Sequence, residues 1–269
     1  MAETGKRLSN AEFQRFSEFI YSHCGIKLEA SKIILLEGRL MKRMKVLDIP
    51  TFSAYADFLF SPEGQLTELS HMTDVVTTNK TDFFREADHF RYLLQKALPD
   101  LRSRRAPSER RRFYIWSAGC SSGEEPYTLS MVLSDLKEQT PGFDFLILAT
   151  DISNIVLDKA RKGIYEEAKI APVPMEMKRK YILRGKDRTQ RMVRIAPEAR
   201  CKIKFAWLNL MEEFPIREKV DVIFCRNVII YFDRPTQKKL MEKFADQLIP
   251  GGYLFLGHSE TLTGFELPF

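Results

Sequence analysis

The chain has 269 residues, 44% hydrophobic and 29% charged, with 42 Lys and Arg against 36 Asp and Glu for a formal net charge of +6. No run of about 18 apolar residues occurs, so no membrane-spanning helix and no membrane insertion are expected, and the polar start Met1 to Arg7 lacks the apolar core of a secretory leader. The basic balance favours an acidic partner without choosing among nucleic acid, anionic lipid and an acidic protein surface.

Four cysteines lie far apart, at 24, 120, 201 and 225, without a C-x-x-C pair, and the four histidines do not cluster along the chain. No metal site is expected from that spacing. Free thiols and the absence of a leader point to the cytoplasm.

The first hundred residues read as helices. Ser9-Asn10-Ala11-Glu12 is a capping box ahead of Phe13, Phe16 and Ile20 on one face, and Gly25 is placed to end that helix. A second helix is expected from about Ser31 to Leu47. Its apolar positions are Ile34, Leu35, Leu40 and Met44, and its basic ones Lys32, Arg39, Lys42, Arg43 and Lys45. That basic face is either a solvated surface or a dock for an acidic helix. Further helices are expected near Thr51, near Pro62 and over Asp88 to Leu101. The motif Asn79-Lys80-Thr81-Asp82-Phe83-Phe84-Arg85-Glu86 lies between them, and Thr81 is placed to cap a short helix over Phe83 and Phe84. The polar stretch 102–112 reads as a linker, with a basic nucleic-acid arm as its other reading.

Beyond the linker the pattern alternates. Strands are expected at 113–117, 145–150, 220–225 and 252–257, and helices at 124–138, 153–161 and 235–248. This is a doubly wound α/β sheet. The interval 164–219 is long. Within it Tyr181-Ile182-Leu183, Met192-Val193-Arg194-Ile195 and Lys202-Ile203-Lys204-Phe205 read as short antiparallel strands of a small insertion.

The first strand runs into Ser117-Ala118-Gly119-Cys120-Ser121-Ser122-Gly123-Glu124-Glu125-Pro126-Tyr127. Strand, glycine turn and helix make a nucleotide-type site, with the ligand at the strand's carboxyl end. Gly119 and Gly123 are four apart, which is not the G-x-G-x-x-G that packs a pyrophosphate. A looser turn followed by two carboxylates suits a cationic, phosphate-free cofactor such as S-adenosylmethionine. The plain alternatives are a tight connection, with Glu124 and Glu125 complementing the helix dipole and Pro126 in the first turn.

Asp151 closes the second strand and is placed to accept from both ribose hydroxyls of an adenosine. It could instead cap the next helix, in competition with Ser153. Asn209 and Leu210 follow Phe205-Ala206-Trp207-Leu208, where an amide could read an adenine edge. The buried run Val222 to Cys225 stops abruptly at Arg226-Asn227, and Arg226 must there be paired with a carboxylate or face a pocket. Tyr231 stands near the same mouth.

These segments, together with Ala149-Thr150-Asp151-Ile152, Phe224 to Asp233 and Gly257-His258-Ser259-Glu260, resemble the CheR-type chemotaxis receptor glutamate methyltransferases. The motifs fall in the family's order over most of the chain. The resemblance implies an all-α N-terminal domain at 1–76, a linker motif and connecting helix at 77–112, and a Rossmann-like S-adenosylmethionine-dependent domain at 113–269 with a small β insertion at about 180–205.

It further implies that Asn79, Thr81 and Arg85 meet the cofactor's methionine end, that Gly119 and Glu125 contact the cofactor, that Asp151 binds ribose, and that Asn209 and Leu210 face adenosine. Arg226, Asn227 and Tyr231 match residues near cofactor and acceptor, with Arg85, Tyr231 and Arg226 orienting the acceptor carboxylate. S-adenosylhomocysteine is the implied product and the helical bundle of a chemoreceptor the implied partner, docked through the basic helix at 32–45. A monomer without nucleic acid is expected.

Two departures stand out. The loop Gly185 to Arg191 has one glycine and several charges where some members have a glycine-richer, receptor-tethering loop. The family usually continues to a further strand, so a shortened or different end to the sheet is expected at Phe269.

The acceptor carboxylate is ionised at neutral pH, with a reference pKa of about 4.3, so no general base is required. His258 beside Glu260 is the weak candidate for one. Rival readings are a methyltransferase for RNA or a small molecule, a non-catalytic module that senses S-adenosylmethionine or S-adenosylhomocysteine, and a nicotinamide dehydrogenase, which the glycine spacing disfavours.

Overall fold

A computed structural model describes residues 7–105 and 111–266. The middle of the expected linker, 106–110, lies outside the described residues.

Five helices form the first layer: α1 (Asn10–Cys24), α2 (Ile33–Leu47), α3 (Phe52–Phe60), α4 (Pro62–Thr67) and α5 (Leu69–Val76). Both hydrogen bonds of the Ser9/Glu12 capping box are made, and Gly25 at φ 69° ends α1 in the left-handed region. These helices share a core of Phe16, Ile20, Leu36, Leu40, Tyr55, Leu59 and Met72. Here α2 departs from expectation. Leu36, Leu40 and Met44 face the core, whereas Ile34 is 79% exposed and Leu35 45% exposed. Rotation of α2 is set by the i, i+4, i+8 row that fills the core, and Ile34 and Leu35 fall off that row. The basic residues divide as well. Arg43 forks onto the buried Glu68 at 2.6 Å, and Arg39 donates to Val76 O and Thr78 Oγ1, leaving Lys32, Lys42 and Lys45 exposed.

The segment after α5 carries a second correction. Residues 83–86 form a turn, not a helix, with Phe84 and Glu86 both at φ 54°, so Thr81 caps nothing. Two left-handed residues cannot continue a right-handed helix. The helical run starts at α6 (Ala87–Tyr92), passes through one π-helical stretch (Leu93–Ala97) and ends as α7 (Leu98–Ser103).

The second layer is a five-stranded sheet in the order β6-β2-β1-β7-β8, all pairs parallel. Its strands are β1 (Phe113–Ala118), β2 (Phe145–Asp151), β6 (Ile203–Trp207), β7 (Val220–Phe224) and β8 (Leu248–Phe255). Alternate residues serve opposite faces. Phe113, Ile115, Phe145, Ile147, Val222 and Phe224 join one core, while Trp116, Ala118, Ile223 and Cys225 join the other. Both faces are covered, as a parallel sheet requires. The first is packed by α6, α7, α8 (Glu124–Gln139) and α9 (Asn154–Lys162), and the second by α12 (Arg234–Gln247). β8 begins four residues before its expected start, because a register irregularity between Val220 and Val222 lets Leu248 pair before Pro250-Gly251 and Tyr253 after.

A three-stranded antiparallel sheet, β3-β5-β4, is inserted between α9 and β6, with β3 (Ile164–Glu166), β4 (Ile182–Arg184) and β5 (Met192–Ile195). The expected third strand, 202–205, is not in it. Ile203 pairs with Ile147 and Trp207 with Asp151 in the main sheet, and the inserted sheet takes 164–166 instead. Apolar alternation is the same in either sheet, so the pattern alone could not assign the partner. Two short helices, α10 (Met175–Tyr181) and α11 (Pro197–Arg200), frame it. Among the described residues no helix is long and apolar enough to cross a membrane.

Candidate active site

Parallel strands β6, β2, β1 and β7 deliver four chain segments to one edge: Asn209 after β6, Asp151 ending β2, Gly119 and Ser121 after β1, and Arg226 after β7. The chain runs outward from β1 through β2 to β6 and then returns to the other side of β1 as β7. Such a reversal opens a crevice beyond the strand ends. There a cavity of about 500 Å³ lies between the sheet and the helical layer, within the range of pockets that hold a nucleotide-sized ligand. Asn79, Thr81, Arg85, Gly119, Glu125, Asp151, Asn209, Leu210, Arg226, Asn227 and Tyr231 all line it. Glu124 does not. It is 2% exposed and takes the Ser122 hydroxyl at 2.7 Å.

Gly119 sits at φ 76°, where a Cβ would meet Val228 Cγ2 at 2.5 Å, so the turn demands glycine on both conformation and space. Asp151 accepts the backbone N–H of Ser121 at 2.8 Å and of Ser153 at 2.9 Å, one on each oxygen. Ser153 is the residue that caps α9. Burial pushes the Asp151 carboxyl up, and those two N–H groups oppose the rise. A carboxylate offers about four acceptor sites, so each oxygen keeps capacity for a further donor in the cavity.

Glu125 takes Ser117 Oγ at 2.7 Å and Arg226 Nη1 at 3.0 Å. Burial pushes its carboxyl up, with Arg226 the main opposing influence. Arg226 is itself buried. It pairs with Glu86 Oε2 at 3.0 Å through Nη2, which also donates to Arg85 O, and its Nε is buried without a hydrogen-bond partner among the described residues. Burial works to raise the Glu86 carboxyl, but the hydrogen bond and charge of Arg226 outweigh it and hold Glu86 below its usual range. Arg226 is therefore an Arg–carboxylate centre that ties the 83–86 turn to the sheet, and its guanidinium is largely spent on that task. Glu86 is the residue in this arrangement that sequence reading missed. A buried Arg after a strand demands carboxylates, and only proximity in space says which.

Arg85 is freer. Its Nη1 donates to Lys80 O at 3.0 Å, and about a third of the side chain is exposed at the cavity. Tyr231 is half-buried, its carbonyl accepts from Lys27 N at 2.9 Å, and its hydroxyl has no hydrogen-bond partner among the described residues. Asn79 turns its side chain to Thr77 Oγ1, while its carbonyl accepts Ser121 Oγ at 3.0 Å. Asn209 donates to His23 O at 2.7 Å and accepts Met211 N at 3.0 Å. The amide thus holds the end of α1 against the sheet, and Cys24, Ile26 and Leu28 close the cavity from the helical side.

The His258–Glu260 pair does not form. Glu260 takes the backbone N–H groups of Asn227, Ile229 and Gly257, and the exposed His258 ring lies edge-on to His89 at 4.9 Å. Two of the four histidines therefore meet in space, although they stand far apart in the chain.

Residues 79–269 match the family model of the CheR methyltransferase SAM-binding domain, and residues 11–77 that of the CheR methyltransferase all-alpha domain. The chain is 42% identical over 259 residues to a chemotaxis protein methyltransferase of Borreliella burgdorferi, covering 96% of this chain and 90% of that one. It is 40% identical to a probable chemotaxis protein methyltransferase of Rhizobium etli, over 91% of this chain and 90% of that one. With the chemotaxis protein methyltransferase of Escherichia coli the identity is 38%, over 97% and 88% of the two chains.

Proposed function

We propose that this chain, which belongs to the CheR family of S-adenosylmethionine-binding methyltransferases, methylates glutamate side chains on the cytoplasmic helices of chemoreceptors, giving methyl esters and S-adenosylhomocysteine. The observation that carries the reading is the single cavity edge at which Asp151, Glu125 and Asn209 meet Arg85 and Tyr231. Bound S-adenosylmethionine supplies an electrophilic methyl group on a sulfonium.

The residues present fit that cofactor. Asp151 offers buried acceptors for vicinal hydroxyls, and Asn209 and Leu210 line the same cavity. Gly119 lets the backbone come close.

The acceptor is a carboxylate that already carries its charge, so the protein's task is alignment and exclusion of water. Correct placement of the reacting groups is worth roughly 7–11 kcal/mol in favourable cases. Arg85 and Tyr231 project into the cavity with hydrogen-bonding capacity unspent, which suits them to orient the incoming carboxylate. Arg226 is a positioning residue in this scheme, holding the Arg85–Glu86 turn and Glu125 in register. The exposed Lys32, Lys42 and Lys45 of the α2 region carry charge complementary to an acidic receptor helix, and Lys32 reaches the cavity mouth. The chain would act in the cytoplasm as a monomer, without nucleic acid.

Incubation with methyl-labelled S-adenosylmethionine and a receptor cytoplasmic fragment tests the reading. Label released as methanol by mild base identifies a carboxyl ester. Cofactor binding without transfer to any receptor fragment would favour the sensing module instead.

A further inference from the structure

Beside Arg226, and not among the residues that line the cavity, Glu86, His89 and His258 converge. Their candidate ligand atoms lie within 4.8 Å of one another, and among the described residues they are the group of three that could hold a metal ion. Glu86 ends the 83–86 turn and His89 lies in the first turn of α6, and Glu86 Oε2 is 3.5 Å from His89 Nδ1. That Nδ1 is buried and has no hydrogen-bond partner among the described residues. His258 arrives on the loop after β8. Its backbone N–H donates to the same Glu86 oxygen at 3.3 Å, and its ring stands at 89° to that of His89.

We infer that Glu86, His89 and His258 form a divalent-cation site of the zinc class, and that its occupant competes with Arg226 for Glu86. Two imidazoles and a carboxylate are the donor set that zinc takes with an open fourth position. Ligands about 2.1 Å from a tetrahedral zinc lie roughly 3.4 Å apart, so His258 must swing inward by about an ångström. Its exposed position on a loop permits this. The orphaned His89 nitrogen would gain the partner it lacks, and a buried imidazole nitrogen without one is costly.

The price is set by Arg226, whose Nη2 already holds Glu86 Oε2 at 3.0 Å. A cation there repels the guanidinium and weakens its grip on the carboxylate, so affinity falls short of a four-ligand structural site. Loosening that pair frees the 83–86 turn, and with it Arg85 at the cavity. Ligation stands independently of the function proposed above, whereas the coupling to cofactor rests on it.

The test uses the full chain, free of any tag, with the exposed Cys201 changed to Ser. Zinc is titrated against a chromophoric chelator, and cobalt is followed by its visible spectrum. One equivalent is expected, with affinity at least about tenfold weaker in His258→Ala and in His89→Gln. Zinc should also weaken S-adenosylhomocysteine binding in the parent and leave it unchanged in His258→Ala. If His89→Gln does not fold, His258→Ala decides alone, because its side chain is exposed and lies outside the cavity. A parent without stoichiometric binding, or a His258→Ala protein that binds as tightly as the parent, overturns the site. Zinc bound with no change in S-adenosylhomocysteine affinity overturns the competition. Failure of the methyltransferase reading itself would show differently, as metal-free protein that binds no S-adenosylhomocysteine.

Discussion

Arg226 shows how much one buried side chain can organise. Its guanidinium joins Glu125 on α8, Glu86 on the turn and the Arg85 carbonyl, and its face lies 5.4 Å from the Phe90 ring. Removing it would leave two carboxylates buried near each other, and breaking one side of such a pair costs about 3–5 kcal/mol. Arg226→Gln should therefore lower the melting temperature by on the order of 10 °C and weaken cofactor binding, both read by thermal unfolding with and without S-adenosylhomocysteine. Tyr231 makes the opposite case, since its hydroxyl holds up nothing in the fold. Tyr231→Phe should leave stability and S-adenosylhomocysteine affinity near those of the parent and reduce kcat by about tenfold, the effect of about 1.4 kcal/mol in the transition state. Equal losses in affinity and turnover would remove the acceptor-orienting role. The sequence marked both residues as neighbours of a pocket. It could not separate them, because the distinction lies in the carboxylates that surround one and not the other.

Among elements, the join of β2 and α8 is held by charge at its base. Asp144, just before β2, meets Lys137 of α8 at 2.7 Å, Lys202 before β6 at 3.1 Å and Arg112 before β1 at 2.8 Å. Burial works to raise its carboxyl, but these partners outweigh it and hold Asp144 at about 2 against an ordinary 3.8. The group is ionised more readily in the folded chain than in the unfolded one. Its contribution is therefore fully present above about pH 4 and is lost as pH falls towards 2. Asp144→Asn should flatten the acid side of a melting-temperature profile between those values and lower the melting temperature at neutral pH by about 1–3 °C, as partly exposed pairs are weak. An unchanged acid limb would discount this cluster. Element reading from sequence worked where periodicity and capping agreed, as in α1 with its Ser9 box. It failed at 203–207 and at the 83–86 turn. A short apolar strand does not say which sheet it joins, and left-handed residues at Phe84 and Glu86 are imposed by packing rather than by propensity.

The whole molecule is two layers welded at the cavity. Asp74 of α5 accepts the Ser153 hydroxyl at 2.6 Å and the Ile155 N–H at 3.3 Å, Tyr21 of α1 donates to Asp233 at 3.0 Å, and Asn209 holds His23. On the reading proposed above, an acidic receptor helix would meet the exposed Lys42 and Lys45 of α2. Lys42→Glu with Lys45→Glu should raise KM for a receptor fragment by about tenfold, the scale of electrostatic steering, with kcat within about twofold. Raising ionic strength from roughly 50 to 300 mM should raise the parent's KM and have little effect on that of the double variant. Steady-state methylation at the two salt levels distinguishes steering from a general loss of activity.

What the chain determined by itself was local and repetitive. Apolar runs specified the strands, helical spacing and caps specified the helices, and the glycine turn with Asp151 placed a cofactor pocket at strand ends, because parallel strands with crossovers leave no other edge for it. Tertiary structure decided what depends on distance between remote residues. It chose Glu86 as the partner of Arg226, took Arg43 out of the basic face to pair with Glu68, moved 203–207 into the main sheet, and set His89 against His258. Each of those outcomes turns on a pairing energy that exists only once the chain has folded, and no residue type or spacing along the sequence encodes it.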